Sequence, residues 1–197
     1  MDAASATSYS GTGTTWSDIS GANNHAALVG NPVFSATAPK YFTFSGGNNA
    51  NLNFVWPSDF TCSFWIYPMS APGGTFSRIV STFPNDNFEI TINSSKQISY
   101  YSPPVGWITS GVILASAVWS QVLFVKSAGI LTIYVNGSLS YTAPLSITPG
   151  TKIYFGQRYN ASEGVNMRLS NVLIYSLGLS LSDITTNWNN QKGNFGY

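Results

Sequence analysis

Charge is scarce in this sequence. Of 197 residues only 8 % are Asp, Glu, Lys or Arg, and the formal net charge is +1. No run of Lys or Arg occurs, so the attraction that draws basic proteins onto nucleic acid or an anionic bilayer is missing. Neither nucleic acid nor membrane is expected as a partner. Cys62 is the one cysteine, which excludes an internal disulfide and a cysteine-based metal cluster. A buried, inert thiol is expected there. No apolar run reaches the roughly 20 residues of a membrane-spanning helix. Met1 to Thr15 also lack the basic start and apolar stretch of a secretory signal. A protein with these absences could leave its cell inside something else, such as a virus particle, and a recombinant fragment would look the same.

Aromatic residues supply 15 % of the chain, and Ser, Thr, Asn and Gly replace the missing charge. That composition is too apolar for disorder and too poor in Glu, Lys and Arg for a helical bundle. It suits strands and turns. The length accommodates one β-sandwich domain over residues 1–197, with residues 1–15 as an edge arm or a wrapped loop. Phe60, Cys62, Phe64 and Ile66 alternate with Trp65 and Tyr67, which predicts a strand covered on both sides. Phe88 to Ile92 and Gln97 to Tyr101 read as a hairpin turning at Asn93 to Lys96, one face apolar and one polar.

Asn136-Gly137 supplies the two residues of positive φ that a type I′ turn needs, predicting that Tyr134 faces Leu139 and Thr132 faces Tyr141. Further strands are expected near 76–83, 108–114, 118–126, 151–156 and 167–176. The one plausible helix starts at Ser180 or Ser182 as cap and ends near Gly193. Trp16, Trp65, Trp119 and Trp188 are assigned to the core or its ends. The sequons at Asn93, Asn136 and Asn160 are expected to be unmodified, the first two lying in tight turns.

Several segments in order carry a resemblance. They are Asp2-Ala3 to Gly13, Trp16 to Gly21 with Asn24-His25, Phe42 to Gly46, and Phe60 to Pro68. Ile133 to Gly137, Ile153 to Gly156, Asn171 to Tyr175 and Leu179 to Ile184 follow. Together they resemble the concanavalin A-like lectin/glucanase superfamily in its laminin G-like branch. The resemblance implies an all-β jelly-roll of two antiparallel sheets used for glycan binding, adhesion or assembly, with some enzymatic relatives. The opening segment resembles domains in structural proteins of algal viruses and marine phages, implying a place on a virion or outside the cell. Relatives often carry acids at the positions of Ser45 and Ala50, so no tightly bound calcium is expected here. Where relatives often have Phe-Xaa-Gly, this chain has Met167-Arg168-Leu169.

Catalysis is poorly supported. A retaining glycosidase needs two carboxylates flanking one bond, and the nearest approach among seven acidic residues is Asp86 with Glu89. Three apart on a strand, they point to opposite faces. His25 lies in a polar loop and no nucleophile elbow accompanies it. A polysaccharide lyase using Tyr, Lys or Arg stays open as the enzymatic alternative. No cofactor and no metal cluster is expected.

Sugars are held by aromatic rings together with planar polar groups. The candidates are Glu89, Gln97 and Tyr101 on the polar hairpin face, Trp107 in the following loop, and Arg158 with Tyr159 after the Phe155-Gly156 strand end. Expected partners are a glycan or neighbouring virion proteins. The competing reading makes Trp107 and Tyr159 loop anchors. A second functional class, a purely structural subunit, would self-associate as a homo-oligomer.

Overall fold

A computed structural model describes residues 1–69, 76–84, 87–148 and 150–197. The strands in chain order begin with β1 (Thr15–Trp16), β2 (Ala26–Val29), β3 (Val33–Ser35), β4 (Tyr41–Ser45) and β5 (Asn49–Asn53). Next come β6 (Phe60–Pro68), β7 (Ser77–Phe83), β8 (Ile90–Ile92), β9 (Gln97–Ser102) and β10 (Gly106–Ile113). The last are β11 (Ser120–Ser127), β12 (Ile130–Val135), β13 (Ser138–Pro144), β14 (Lys152–Phe155) and β15 (Asn166–Tyr175). They form an eight-stranded sheet ordered β1-β2-β5-β14-β7-β8-β9-β10 and a seven-stranded sheet ordered β13-β12-β11-β6-β15-β4-β3. All pairings are antiparallel. The expected two-sheet jelly-roll is the observed architecture.

Alternation builds the core. Phe42, Phe44, Phe60, Phe64, Phe124, Met167 and Leu169 point inward from the seven-stranded sheet and meet Ile90, Ile98, Tyr100, Ile153 and Phe155 of the other. Cys62 lies among them, and burial pushes its thiol pKa upward. The expected inert role follows from that. The arm pairs along β15: Met1 and Val172 exchange backbone bonds of 2.9 and 3.0 Å, and Ala3 donates to Ser170 at 3.1 Å.

The outer face of β6 shows why the chain ends in a helix. Trp65 points away from the core yet is 0 % exposed. Helix α1 (Leu181–Gln191) and the short 3₁₀ segment after it, Lys192–Phe195, cover it. Phe195 stacks on the Trp65 ring at 3.8 Å, and Gln191 accepts its indole N–H at 2.7 Å. At ~25 cal/mol per Å² of apolar surface, leaving such a ring bare would forfeit several kcal/mol. Ser180 caps the helix, forming a capping box with Asp183. Ile184 closes a second apolar cluster with Leu123 and Val125.

The Asn136-Gly137 turn forms as expected, with φ of 52° and 75°. Tyr134 faces Leu139, but Thr132 faces Thr142, and Tyr141 pairs with Ile133. A bulge between Ile133 and Tyr134 inserts one residue and shifts the register beyond it. The Asn93 side chain bonds Gln97 across its own turn, whereas that of Asn136 reaches out of its turn to Gln121 N–H and the Tyr197 hydroxyl. No helix among the described residues is long and apolar enough to cross a membrane.

A Cβ on Gly137 would lie 2.8 Å from the Trp188 ring, besides requiring a positive φ. Gly137→Val should therefore cost about 1 kcal/mol or more, read as a lower midpoint in urea. An unchanged midpoint would place the turn elsewhere.

Candidate functional site

The outer face of the eight-stranded sheet is polar at its centre. Ile153 and Phe155 point inward, so Tyr154 points outward, in register with Ser81 on one side and Asn51 on the other. Further along the same face, Arg78 opposes Thr91, Thr91 opposes Ser99, and Tyr101 opposes Trp107.

Arg78 organises this face. It is 3 % exposed, and its guanidinium reaches Glu89 Oε2 at 2.7 Å through one terminal nitrogen and Glu163 Oε2 at 2.8 Å through the other. Its Nε donates to the same Glu163 oxygen at 2.9 Å. A buried guanidinium without such partners would carry a desolvation penalty of several kcal/mol. Glu163 comes from the loop between β14 and β15, which folds back so that Arg78 N–H donates to Glu163 C=O at 2.8 Å. Gly156 and Gly164 bound that loop. A Cβ on Gly156 would meet Phe44 at 2.8 Å, and one on Gly164 would run into the Gly46 backbone. Arg158 joins the network at 3.5 Å from Glu163.

Trp107 lies over the same guanidinium, 4.4 Å from its ring centroid. Phe76 approaches the indole at 5.1 Å and Tyr101 meets it edge-on at 5.4 Å. The result is a half-buried aromatic platform fixed to a charged floor.

Four of the six residues singled out from the sequence, Glu89, Tyr101, Trp107 and Arg158, belong to this one cluster through Arg78 and Glu163. Glu89 is 2 % exposed, so it braces the site from beneath and offers no open contact. Thr91 and Ser99, on the same hairpin face, are also buried. Gln97 stands apart. It starts β9, four residues or roughly 13 Å from Tyr101, and is engaged with Asn93. Tyr159 packs at 5.2 Å on Phe83 and at 5.7 Å beneath Arg158, at the rim of the face.

Sequence reasoning missed Arg78 and Glu163. The one signal for Arg78 is a charged residue inside the otherwise uncharged run Ser77 to Phe83. Nothing local marks Glu163, 85 residues away. Asp86, considered as a partner for Glu89, lies outside the described residues. His25 is exposed, its Nδ1 accepting the Asp18 backbone N–H at 3.0 Å. Among the described residues no three His, Cys, Asp or Glu side chains gather into a metal site. A cleft of about 550 Å³ opens elsewhere, at one end of the sandwich between Leu52, Phe54, Val172 and Ile174, and contains none of the six.

Arg78→Met strands the buried Glu89 carboxylate and should cost on the order of 3 kcal/mol, whereas adding Glu89→Leu should recover much of it. Urea denaturation of the single and double variants decides this. Equal losses in both would show that the ion pair is not what accommodates Glu89.

Comparison with known proteins adds fold and family. Residues 39–185 match the family described as the concanavalin A-like lectin/glucanases superfamily. Among solved structures, the chain is similar to botulinum neurotoxin type C, for which entering cells is described as dependent upon interaction with two ganglioside molecules. The TM-score is 0.72 and the identity 19 %, over 91 % of this chain and 49 % of that one. It is similar also to the binding domain of botulinum neurotoxin DC in complex with SialylT, at a TM-score of 0.70 and 20 % identity over 88 % of this chain and 47 % of that one. The same domain in complex with rat synaptotagmin II gives 0.72 and 20 %, over 91 % and 50 %. The chain thus spans about half the length of these structures. No curated protein matches it.

Proposed function

The chain belongs to the concanavalin A-like lectin/glucanase superfamily, and on that footing we propose that it is a non-catalytic, lectin-like surface protein that binds a glycan on its eight-stranded face. One observation carries this reading: Trp107 is half exposed yet held by Arg78, Phe76 and Tyr101. A ring already immobilised loses little freedom when a sugar packs on it, so more of the contact energy appears as affinity. Arg158, half exposed and tied to the same network through Glu163, supplies planar donors for hydroxyl groups. The binding roles described for the similar botulinum domains support a glycan or protein partner.

Glycosidase chemistry fits this face poorly. The structure does bring two carboxylates together, Glu89 and Glu163, but the Arg78 guanidinium fills the space between them. A scissile bond with its attacking group would need that space.

The protein acts on the surface of a virus particle, where it meets glycans or neighbouring capsid subunits. The resemblance of Asp2 to His25 to the opening of viral structural domains supports that placement. Mass spectrometry of purified particles tests it, and a protein found only in infected-cell lysate would overturn it.

A neutral-glycan array followed by titration calorimetry tests the binding. Trp107→Ala and Tyr101→Ala should each weaken a neutral hit about tenfold, the ~1.4 kcal/mol scale of one aromatic contact, while circular dichroism shows each variant still folded. Affinity should vary little with salt. Unchanged affinity in both variants would move the site off this face. Release of unsaturated sugar products, seen by ultraviolet absorbance, would make the protein a polysaccharide lyase.

A further inference from the structure

The opposite face of the molecule carries a second arrangement, independent of the first. The α1 side of the seven-stranded sheet is covered, but the outer surface over β4 and the start of β15 is not. Arg168 stands there, with Thr43 and Tyr67 as its cross-strand neighbours. Its guanidinium lies 4.6 Å from the ring centroid of Tyr67 and 4.9 Å from that of Tyr41. Trp119 closes the third side, 5.6 Å from each tyrosine. Trp119 is in turn locked by Phe195 at 5.2 Å and by the Tyr197 hydroxyl on its carbonyl at 2.6 Å. Arg168, Tyr41 and Tyr67 are all half exposed.

Charge sets this position apart among the arginines. Of three arginines, Arg78 and Arg158 have carboxylates within 4 Å. Among the described residues Arg168 has none, and its buried Nε has no hydrogen-bond partner. Packing against aromatic rings leaves the N–H groups of a guanidinium free for a planar anion, and with Nε buried the edge within reach here is that of the two terminal nitrogens. A carboxylate matches that edge with two parallel bonds. The half-buried tyrosine rings beside it offer surfaces for the C–H groups of a sugar, and the buried Trp119 holds them in place.

We infer that Arg168, with Tyr41 and Tyr67 backed by the buried Trp119, forms a binding site for an acidic sugar bearing a carboxylate or sulfate. A bare anion would make no use of the rings, and an acidic peptide would not need them arranged as walls. The salt dependence of this site differs from that of the Trp107 face: a charge pair at a half-exposed arginine is screened, so affinity falls as ionic strength rises.

The test is titration of the whole chain with trigalacturonic acid, a sulfated heparin tetrasaccharide, neutral maltotriose, inorganic sulfate and triglutamate. At least one of the two acidic sugars should bind tenfold or more tightly than maltotriose, sulfate and triglutamate. Arg168→Gln should abolish that preference, and Arg168→Lys, which keeps the charge and loses the planar fork, should weaken it several-fold. Lys152→Gln, which removes a positive charge from the other sheet, should leave it unchanged, and because Arg168 and Trp107 lie on different sheets this result stands or falls apart from the neutral-glycan reading. Amide NMR spectra confirm that each variant is folded. Equal affinity of maltotriose and both acidic sugars overturns the inference, as does wild-type binding by Arg168→Gln. Sulfate or triglutamate matching the acidic sugars overturns it in favour of a simple anion or peptide site.

Discussion

Arg78 places a full positive charge where only 3 % of the residue meets solvent, and much of the eight-stranded face follows from answering it. Glu89 must face it from the adjoining strand, and Glu163 must be brought from the loop beyond β14. That loop can return over the sheet because glycines at 156 and 164 allow approaches no side chain would permit. With Glu163 in place, Arg158 and Tyr159 are carried to the rim and Trp107 settles on the guanidinium. A buried ion pair of this kind adds little net stability, since desolvation offsets most of the attraction. Its consequence is geometric: removing either charge leaves the other uncompensated, so the loop, the platform and the strands beneath are coupled.

The two outer faces solve the same problem differently. Both sheets present aromatic residues away from the core, and exposed rings must be covered or put to use. On the seven-stranded sheet the C-terminal helix and the segment after it cover Trp65 and stop there. Among the described residues no helix covers the eight-stranded face, and its rings are braced by charge instead.

Much of the fold was legible because strand alternation has a period of two, which sends Phe60, Cys62, Phe64 and Ile66 to one face of β6 and Trp65 and Tyr67 to the other, both of them covered through Ile66. Asn136-Gly137 and the Ser180 cap were legible for a related reason: each rests on local chemistry that few other residues can supply. The register at Thr132 was not, because a bulge leaves no mark in residue type. The site was half legible. Alternation assigned Glu89, Thr91 and Ser99 to the outer face but could not say that they would be buried there, since burial depends on what crosses above. Gln97 shares that alternation with Tyr101, yet distance along the strand separates them. The pairing of Arg78 with Glu163 is a property of tertiary structure alone.

Scarcity of charge gives each charged group more meaning here than in an average protein. Where a third of a surface is ionic, one unpaired arginine says little, because counter-charges lie within a Debye length in every direction. In a chain with eight cationic side chains, the field around an arginine is set by its immediate neighbours. Around Arg78 those neighbours neutralise it and convert it into support for a ring. Around Arg168 they are uncharged aromatic walls, which attract the cation by their quadrupoles but leave its N–H edge unanswered. The same residue type therefore serves as scaffold on one face and as an open recognition element on the other.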